Sequence, residues 1–285
     1  MHIFAFVLMT SCSLVFLYGF SDASDSITQS QTLNENTTMV SKDGTFVLGF
    51  FTLGKSTNRY LGMWYNNNPN QIVVRVANRL NPINDLSGVL MVNSSGLVLL
   101  NQNCSTIVWT ANSIKKASNP ILLLLDSGNL VVRDENEPNL EIYLWQGFDY
   151  PSDTLLPGMK LGWDLRNGWE WRLFAWKSPD DPSPGELTYG IEPHNYAKLV
   201  MKKGSEKSFR TGLWIGHYFS GIPTLKIKPL YKYSFVSNKD EVYNTYHMTN
   251  SSIFSRLVLN QSSNLIERYV WAEVGKKWSK YTFNP

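Results

Sequence analysis

Cysteine, histidine and charge are all scarce in this sequence. Two cysteines exclude a disulfide scaffold. Charged residues make up 17%, against roughly 25% in an average soluble protein. The net charge of +3 is too small to be the main attraction for nucleic acid, which is read from clustered Lys and Arg, so no nucleic-acid partner is expected. His2, His194, His217 and His247 show no metal-like spacing and Cys104 has no partner for a zinc knot, so no metal ligand and no cofactor is expected. There is no G-x-S-x-G elbow and no protein-kinase signature, and Asp180-Asp181 sits in a Pro-rich turn where solvation is its simplest role. No catalytic residue is nominated. Nor does any segment after residue 20 hold a sustained helical period of apolar residues.

One phosphate-binding pattern does occur. Gly49-Phe50-Phe51-Thr52-Leu53-Gly54-Lys55-Ser56 matches G-x-x-x-x-G-K-S, which would make the chain an ATPase. A phosphate cradle needs a following helix whose N-terminus faces the anion, whereas Thr57 to Tyr65 reads as loop and then strand. The match is set aside.

Aromatics are plentiful, at 13% with ten Trp, and there are 26 Asn. That is material for a large core, and it excludes disorder. Ile3 to Phe20 is apolar and uncharged, and Ser21-x-Ala23 fits the small-residue rule for signal cleavage, so residues 1–23 read as a signal peptide. The competing reading is an uncleaved anchor, because this run could just span a bilayer. No second run of that length follows, so the mature chain is expected to be secreted and soluble, reaching a membrane only through a downstream segment. Five N-x-S/T sequons, at Asn36, Asn93, Asn103, Asn250 and Asn260, suit that route. Cys12 leaves with the leader. Cys104 is then an odd thiol, either buried between strands or available to a partner, and it hints at an incomplete chain.

Short β-branched and aromatic runs punctuated by Gly, Pro, Asn and Ser predict an all-β protein. Tyr231 to Val236, Val242 to Met248, Ile253 to Leu259, Leu265 to Trp271 and Trp278 to Phe283 read as an antiparallel meander. The N-terminal half carries a repeat of polar turn, apolar strand and Trp. Its copies begin at Lys42-Asp43-Gly44, Ser94-Ser95-Gly96 and Asp126-Ser127-Gly128, followed by Trp64, Trp109 and Trp145. Three such units predict three sheets around a shared aromatic core. Pro157-Gly158 and Pro184-Gly185 fit type II turns.

Residues 27–150 resemble a bulb-type (mannose-binding) lectin domain of plant receptor-like kinases. The likeness is carried by Asp43-Gly44-Thr45-Phe46-Val47-Leu48-Gly49-Phe50-Phe51, Arg59 to Tyr65, Val76-Ala77-Asn78-Arg79 and Leu125 to Val131. Trp145 to Met159, Trp176 to Gly185, Phe209 to Trp214 and Phe219-Ser220-Gly221-Ile222-Pro223 resemble the S-locus glycoprotein family. The resemblance implies a bulb-lectin β-prism with a three-fold pseudo-repeat over 24–150, then a second lectin-like antiparallel domain over 151–285, cut before Cys-rich EGF-like and PAN modules. It implies an extracellular recognition module, in some members for pollen, with the kinase absent from this chain. The partner would be a protein or peptide ligand or a cell-wall glycan, with receptor homo- or hetero-dimers possible. The alternative is a secreted mannose-binding defence lectin.

Bulb-type lectins hold mannose on a strand pattern, Q-x-D-x-N-x-V-x-Y. Its positions here are Leu125, Ser127, Asn129, Val131 and Arg133 in the third repeat, leaving Asn129 and Val131. In the second repeat, Val92, Ser94, Gly96, Val98 and Leu100 leave only the Val. In the first, Ser41, Asp43, Thr45, Val47 and Gly49 leave Asp43 and Val47. Asp43, Asn129 and Val131 are therefore the residual, degenerate carbohydrate-binding candidates. A hydrogen-bonding site fails badly when partners are missing, so strong mannose binding is not expected. Arg75 also stands where the family carries a Trp, and an interior charge there needs a partner or an escape to water.

Overall fold

The computed structural model describes residues 24–66, 71–101, 105–113, 115–193, 196–221, 230–272 and 275–283. The proposed leader, Asn103, Cys104, His194, Ile222 and Pro223 lie outside the described residues. The rest is all-β with one short 3-10 turn at Gly147–Asp149.

Six four-stranded sheets are built entirely from antiparallel pairs. The first holds β3 (Met39–Val40), β4 (Phe46–Phe51), β5 (Tyr60–Tyr65) and β6 (Val73–Val76). The second holds β2 (Leu33–Asn34), β7 (Val89–Asn93), β8 (Gly96–Asn101) and β9 (Thr106–Asn112). The third holds β1 (Ser26–Thr28), β10 (Pro120–Leu124), β11 (Leu130–Asp134) and β12 (Trp145–Gln146). The same plan then recurs. β13 (Thr154–Leu155) joins β22 (Ser255–Asn260), β23 (Leu265–Ala272) and β24 (Lys277–Phe283). β14 (Leu161–Asp164) and β15 (Trp169–Trp171) join β20 (Tyr231–Ser237) and β21 (Glu241–Met248). β16 (Leu173–Ser178), β17 (Asp181–Glu192), β18 (Lys198–Lys203) and β19 (Glu206–Arg210) form the last. No sheet mixes strands from before Gly147 with strands from after Asp153.

Each predicted repeat lies in one of the first three sheets. Each repeat turn closes a hairpin, β3–β4, β7–β8 or β10–β11, and its Trp lies on the next strand of that sheet. The shared aromatic core is not what forms. The innermost side chains are aliphatic: Leu33, Leu90, Leu97, Leu99 and Leu122 are at most 1% exposed. Side chains alternate faces along a strand, so Leu48 and Met63 enter the core while their neighbours Val47 and Trp64 lie on the opposite face of the sheet. Trp64 instead joins Phe51, Tyr60 and Val76 in an outer cluster that receives Trp176 from the second unit.

Two further expectations change. The five C-terminal strands are not one meander: β20–β21 complete one sheet and β22–β24 another. Tyr246 stands between them, its hydroxyl reaching the carbonyls of Leu155 and Ser255 at 3.1 and 3.4 Å, so the chain must leave the first sheet to enclose it. Pro157-Gly158 does turn, with Gly158 at φ +87. Pro184-Gly185 runs inside β17, beside a register shift opposite Trp176. A proline fits there because the irregular ladder needs no N–H from it.

The units pack through aromatic side chains. Tyr65 lies 4.8 Å from Trp278 and 6.2 Å from Phe254, and Arg79 sits over Phe174 at 5.7 Å. Ser152 donates to the Val74 carbonyl at 3.3 Å. A single cluster of buried apolar side chains continues from one unit into the other.

Candidate carbohydrate-binding surfaces

The residual mannose-type residues are committed to other work. Asp43 is exposed, yet its carboxylate closes its own turn. It accepts from the Ser41 hydroxyl at 2.8 Å, the Thr45 amide at 2.9 Å and the Thr45 hydroxyl at 2.7 Å. Partial burial pushes its pKa up, but these donors win and hold it below the usual carboxylate range. The Asp43 amide donates to Asp126 of the third repeat at 2.8 Å, which joins the two turns.

Asn129 is 5% exposed and both ends of its amide are engaged. Its nitrogen donates to Gln146 at 2.9 Å and its oxygen accepts from the Phe148 amide at 3.0 Å. Gln146 passes on to Asp149 at 3.2 Å, and Asp149 accepts from the Trp171 indole at 3.0 Å. A polar chain thus leads from the third repeat into the second unit. Burial raises the pKa of Asp149, against the pull of these donors and of Lys160 and Arg75. Val131 is fully enclosed and offers no surface to a sugar ring.

Arg75 resolves its half-buried position by donating to the Tyr150 carbonyl at 2.5 Å. Burial lowers its pKa to about 10, with Asp149 opposing the drop. The P-loop-like stretch leaves β4 and turns through Gly54, and the chain then passes into β5, a strand where a nucleotide site would need a helix.

The second unit carries a groove that the sequence reading missed. It has a volume of about 670 Å³ and lies mainly on the outer face of β17, β18 and β19, between Trp163, Arg172 and Tyr196. Its charge is concentrated on one sheet face, which a whole-chain balance averages away. The available signal was alternation: Thr188, Gly190 and Glu192 on β17 and Lys198, Val200 and Lys202 on β18 point away from Tyr189, Ile191, Leu199 and Met201, which enter the core.

Comparison with known proteins fits this architecture. A family model for D-mannose binding lectin matches residues 72–177, and one for the S-locus glycoprotein domain matches 209–285. The chain is 36% identical to the receptor-like serine/threonine-protein kinase SD1-8 of Arabidopsis thaliana, over 100% of this chain and 33% of that protein. It is 38% identical to the S-locus-specific glycoprotein S6 of Brassica oleracea, over 99% of this chain and 64% of that protein. It therefore spans about a third of the receptor kinase and under two thirds of the glycoprotein. Among solved structures, a monomeric mannose-binding lectin from Gastrodia elata aligns at 19% identity and TM-score 0.33, covering 43% of this chain and 94% of that one. The two-domain Scilla campanulata agglutinin aligns at 12% identity and TM-score 0.28, covering 81% and 87%.

The matched domains define a protein of the bulb-type lectin class, with no catalytic domain among them. Within that class the chain belongs to the family of S-locus glycoproteins and G-type lectin S-receptor-like kinases.

Proposed function

We propose that this chain is an extracellular recognition module, the ligand-binding part of a receptor-like kinase or an S-locus-type glycoprotein, with pollen recognition among its possible settings. The units would be a lectin domain over 24–150 and an S-locus domain over 151–285, after removal of residues 1–23. The observation that carries this reading is near-complete alignment with both kinds of relative, across two successive three-sheet units. Among the described residues no helix is long and apolar enough to cross a membrane.

The ligand is a protein, a peptide or a cell-wall glycan. Free mannose is disfavoured, because Asn129 and Asp43 already spend their hydrogen bonds within the fold. That favours a receptor module over a mannose-binding defence lectin. Glycans are proposed at Asn36, Asn93 and Asn250, which are exposed, and at Asn103. At Asn260 the side-chain nitrogen donates to Glu267 at 3.1 Å, so a sugar there would compete with a structural contact.

The test is to express the full chain in plant cells and follow its destination, its mass after glycosidase and its retention on mannose–agarose. Glycosylated product in the wall space with no mannose retention is expected. A cytosolic, unglycosylated product with its first residues intact overturns the reading, and strong retention moves it to the defence lectin.

A further inference from the structure

The groove of the second unit has features that a purely structural sheet face does not need. Three cross-strand rows build it. Gly190 on β17 faces Val200 on β18, which faces Arg210 on β19. On one side Glu192 faces Lys198, and on the other Thr188 faces Lys202, which faces Lys207. Arg172 enters from the link between β15 and β16, with its side chain only 9% exposed. Its guanidinium lies over Gly190 so closely that a Cβ there would stand 3.0 Å from Cζ. It donates to Glu170 at 2.6 Å and approaches the Thr188 hydroxyl at 3.5 Å.

Internal pairing leaves positive charge over. Glu170 is taken by Arg172, and Glu192 is shared by Lys202 at 2.9 Å and Lys207 at 2.6 Å. The bond from Lys207, aided by Lys202, holds Glu192 below the usual carboxylate range, so it stays ionised and committed to them. Lys198 and Arg210 have no ion-pair partner among the described residues, although both line the same concavity. A low-dielectric wall focuses such unmatched charge on whatever anion enters.

The rim adds an aromatic surface. Tyr196 is 70% exposed beside this groove, so its ring is open to a ligand. Trp163 also lines the groove, its indole fixed by a 2.7 Å bond to the Ile191 carbonyl. From Lys198 to Lys202 the strand runs about 13 Å, which is room for more than one sugar ring.

We propose that this groove binds an acidic polysaccharide, a chain of uronate rings whose carboxylates pair with Lys198 and Arg210 while a ring face lies on Tyr196. The chemistry favours it over the alternatives. A uronate presents a carboxylate, hydroxyls and a C–H face on one residue, and the groove offers cations, Thr188 and an aromatic ring within one concavity. An acidic peptide would use the charge and leave the ring idle. This inference rests on the reading of the chain as a recognition module and names one ligand class and one surface for it.

The test uses the full chain and a hexamer of 1,4-linked galacturonic acid, followed by calorimetry at two salt concentrations. Binding that weakens with salt is expected, together with a ~10-fold or greater loss in the double variant Lys198→Gln/Arg210→Gln, whose changes sit at the surface and should leave melting unchanged. Tyr196→Ala should also lower affinity, an effect that a mere charge patch would not show. Equal binding of a poly-glutamate of matched charge, or insensitivity to all three substitutions, overturns the inference. If the hexamer fails to bind while a neutral glycan or glycopeptide is retained, the groove assignment falls and the recognition reading stands. If the chain also stays in the cytosol, both fall.

Discussion

The two units share one plan and fill it differently. The first is closed by polar turns and filled along its axis with Leu, the tightest of them fully buried. The second admits more charge to its interior than the first, where Arg133 is the buried cation of β11. Arg268 is 2% exposed between Tyr231 and Tyr246, each ring 4.4 Å away, and the half-buried Lys160 lies over Trp171 and Tyr243 at 4.7 and 4.3 Å. Burial alone would push Arg268 down, but the tyrosines around it hold its pKa above the ordinary value. Three packed sheets fix where inward positions fall and leave open what fills them. A cation inside is tolerated where aromatic faces replace its water.

The largest expected effects test whether the units are structurally equivalent. Gly96 at φ +125 and Gly162 at φ +148 each bring a would-be Cβ within 2.0 Å of a carbonyl on the neighbouring strand, those of Ala111 and Val242. Gly96→Ala and Gly162→Ala should each destabilise by about 3 kcal/mol or more in thermal melting, since strain and backbone clash add. Tolerance at one site alone would break the equivalence. Tyr65→Ala, which empties the aromatic seam, should cost about 3 kcal/mol and separate melting into two transitions. One cooperative transition would show instead that the units cannot stand apart.

Protonation separates the units' junction from the second interior. Asp153 is buried, and desolvation lifts its pKa to about 6 despite bonds from Thr154 and Ser152 and the nearby Arg256. The folded state therefore holds this proton more tightly than the unfolded chain. Stability from this group is greatest below about pH 4 and is lost as pH rises to about 6. Asp153→Asn should flatten that slope and recover about 2 kcal/mol at pH 7, read from denaturant midpoints across the window. Glu267 works the opposite way. Burial pushes it up, but donors from Lys280, Tyr269, Asn260 and Ser263 bring it down to about 2. Its contribution is present above about pH 4.5 and disappears as pH falls towards 2.

Smaller effects sharpen the account of the first unit. Asn129→Ala should cost about 1–2 kcal/mol by leaving the Phe148 amide without its acceptor, with no change in mannose retention. A change in retention would return Asn129 to a sugar site. Asn36→Gln should remove one glycan from the mass and move stability by less than about 0.5 kcal/mol, because the side chain is exposed in a turn.

Much of the architecture was legible because turns and alternation are local. Gly44, Gly96 and Gly128 all take positive φ at the hairpin tips where the repeats placed them. Val242, Tyr246 and Met248 share the inward side of β21, as their spacing required. The failures were non-local. Nothing near Trp64 tells which face a neighbouring unit will cover, and nothing near Tyr246 tells that two sheets will meet at its hydroxyl. The candidate site divided the same way. The erosion of the mannose pattern was visible residue by residue, whereas the onward path from Asn129 through Gln146 and Asp149 to Trp171 was not.

By itself the sequence determined the class of structure, the repeat and the loss of the sugar-binding pattern, because each depends on residues within one hairpin. Tertiary structure decided which faces are buried between the units, and it gathered Arg172, Lys198 and Arg210 from separate parts of the chain into one groove. The physical reason is that a strand's own alternation specifies two faces but not what lies against either. Charges far apart along the chain become one electrostatic surface only when sheet register brings them side by side.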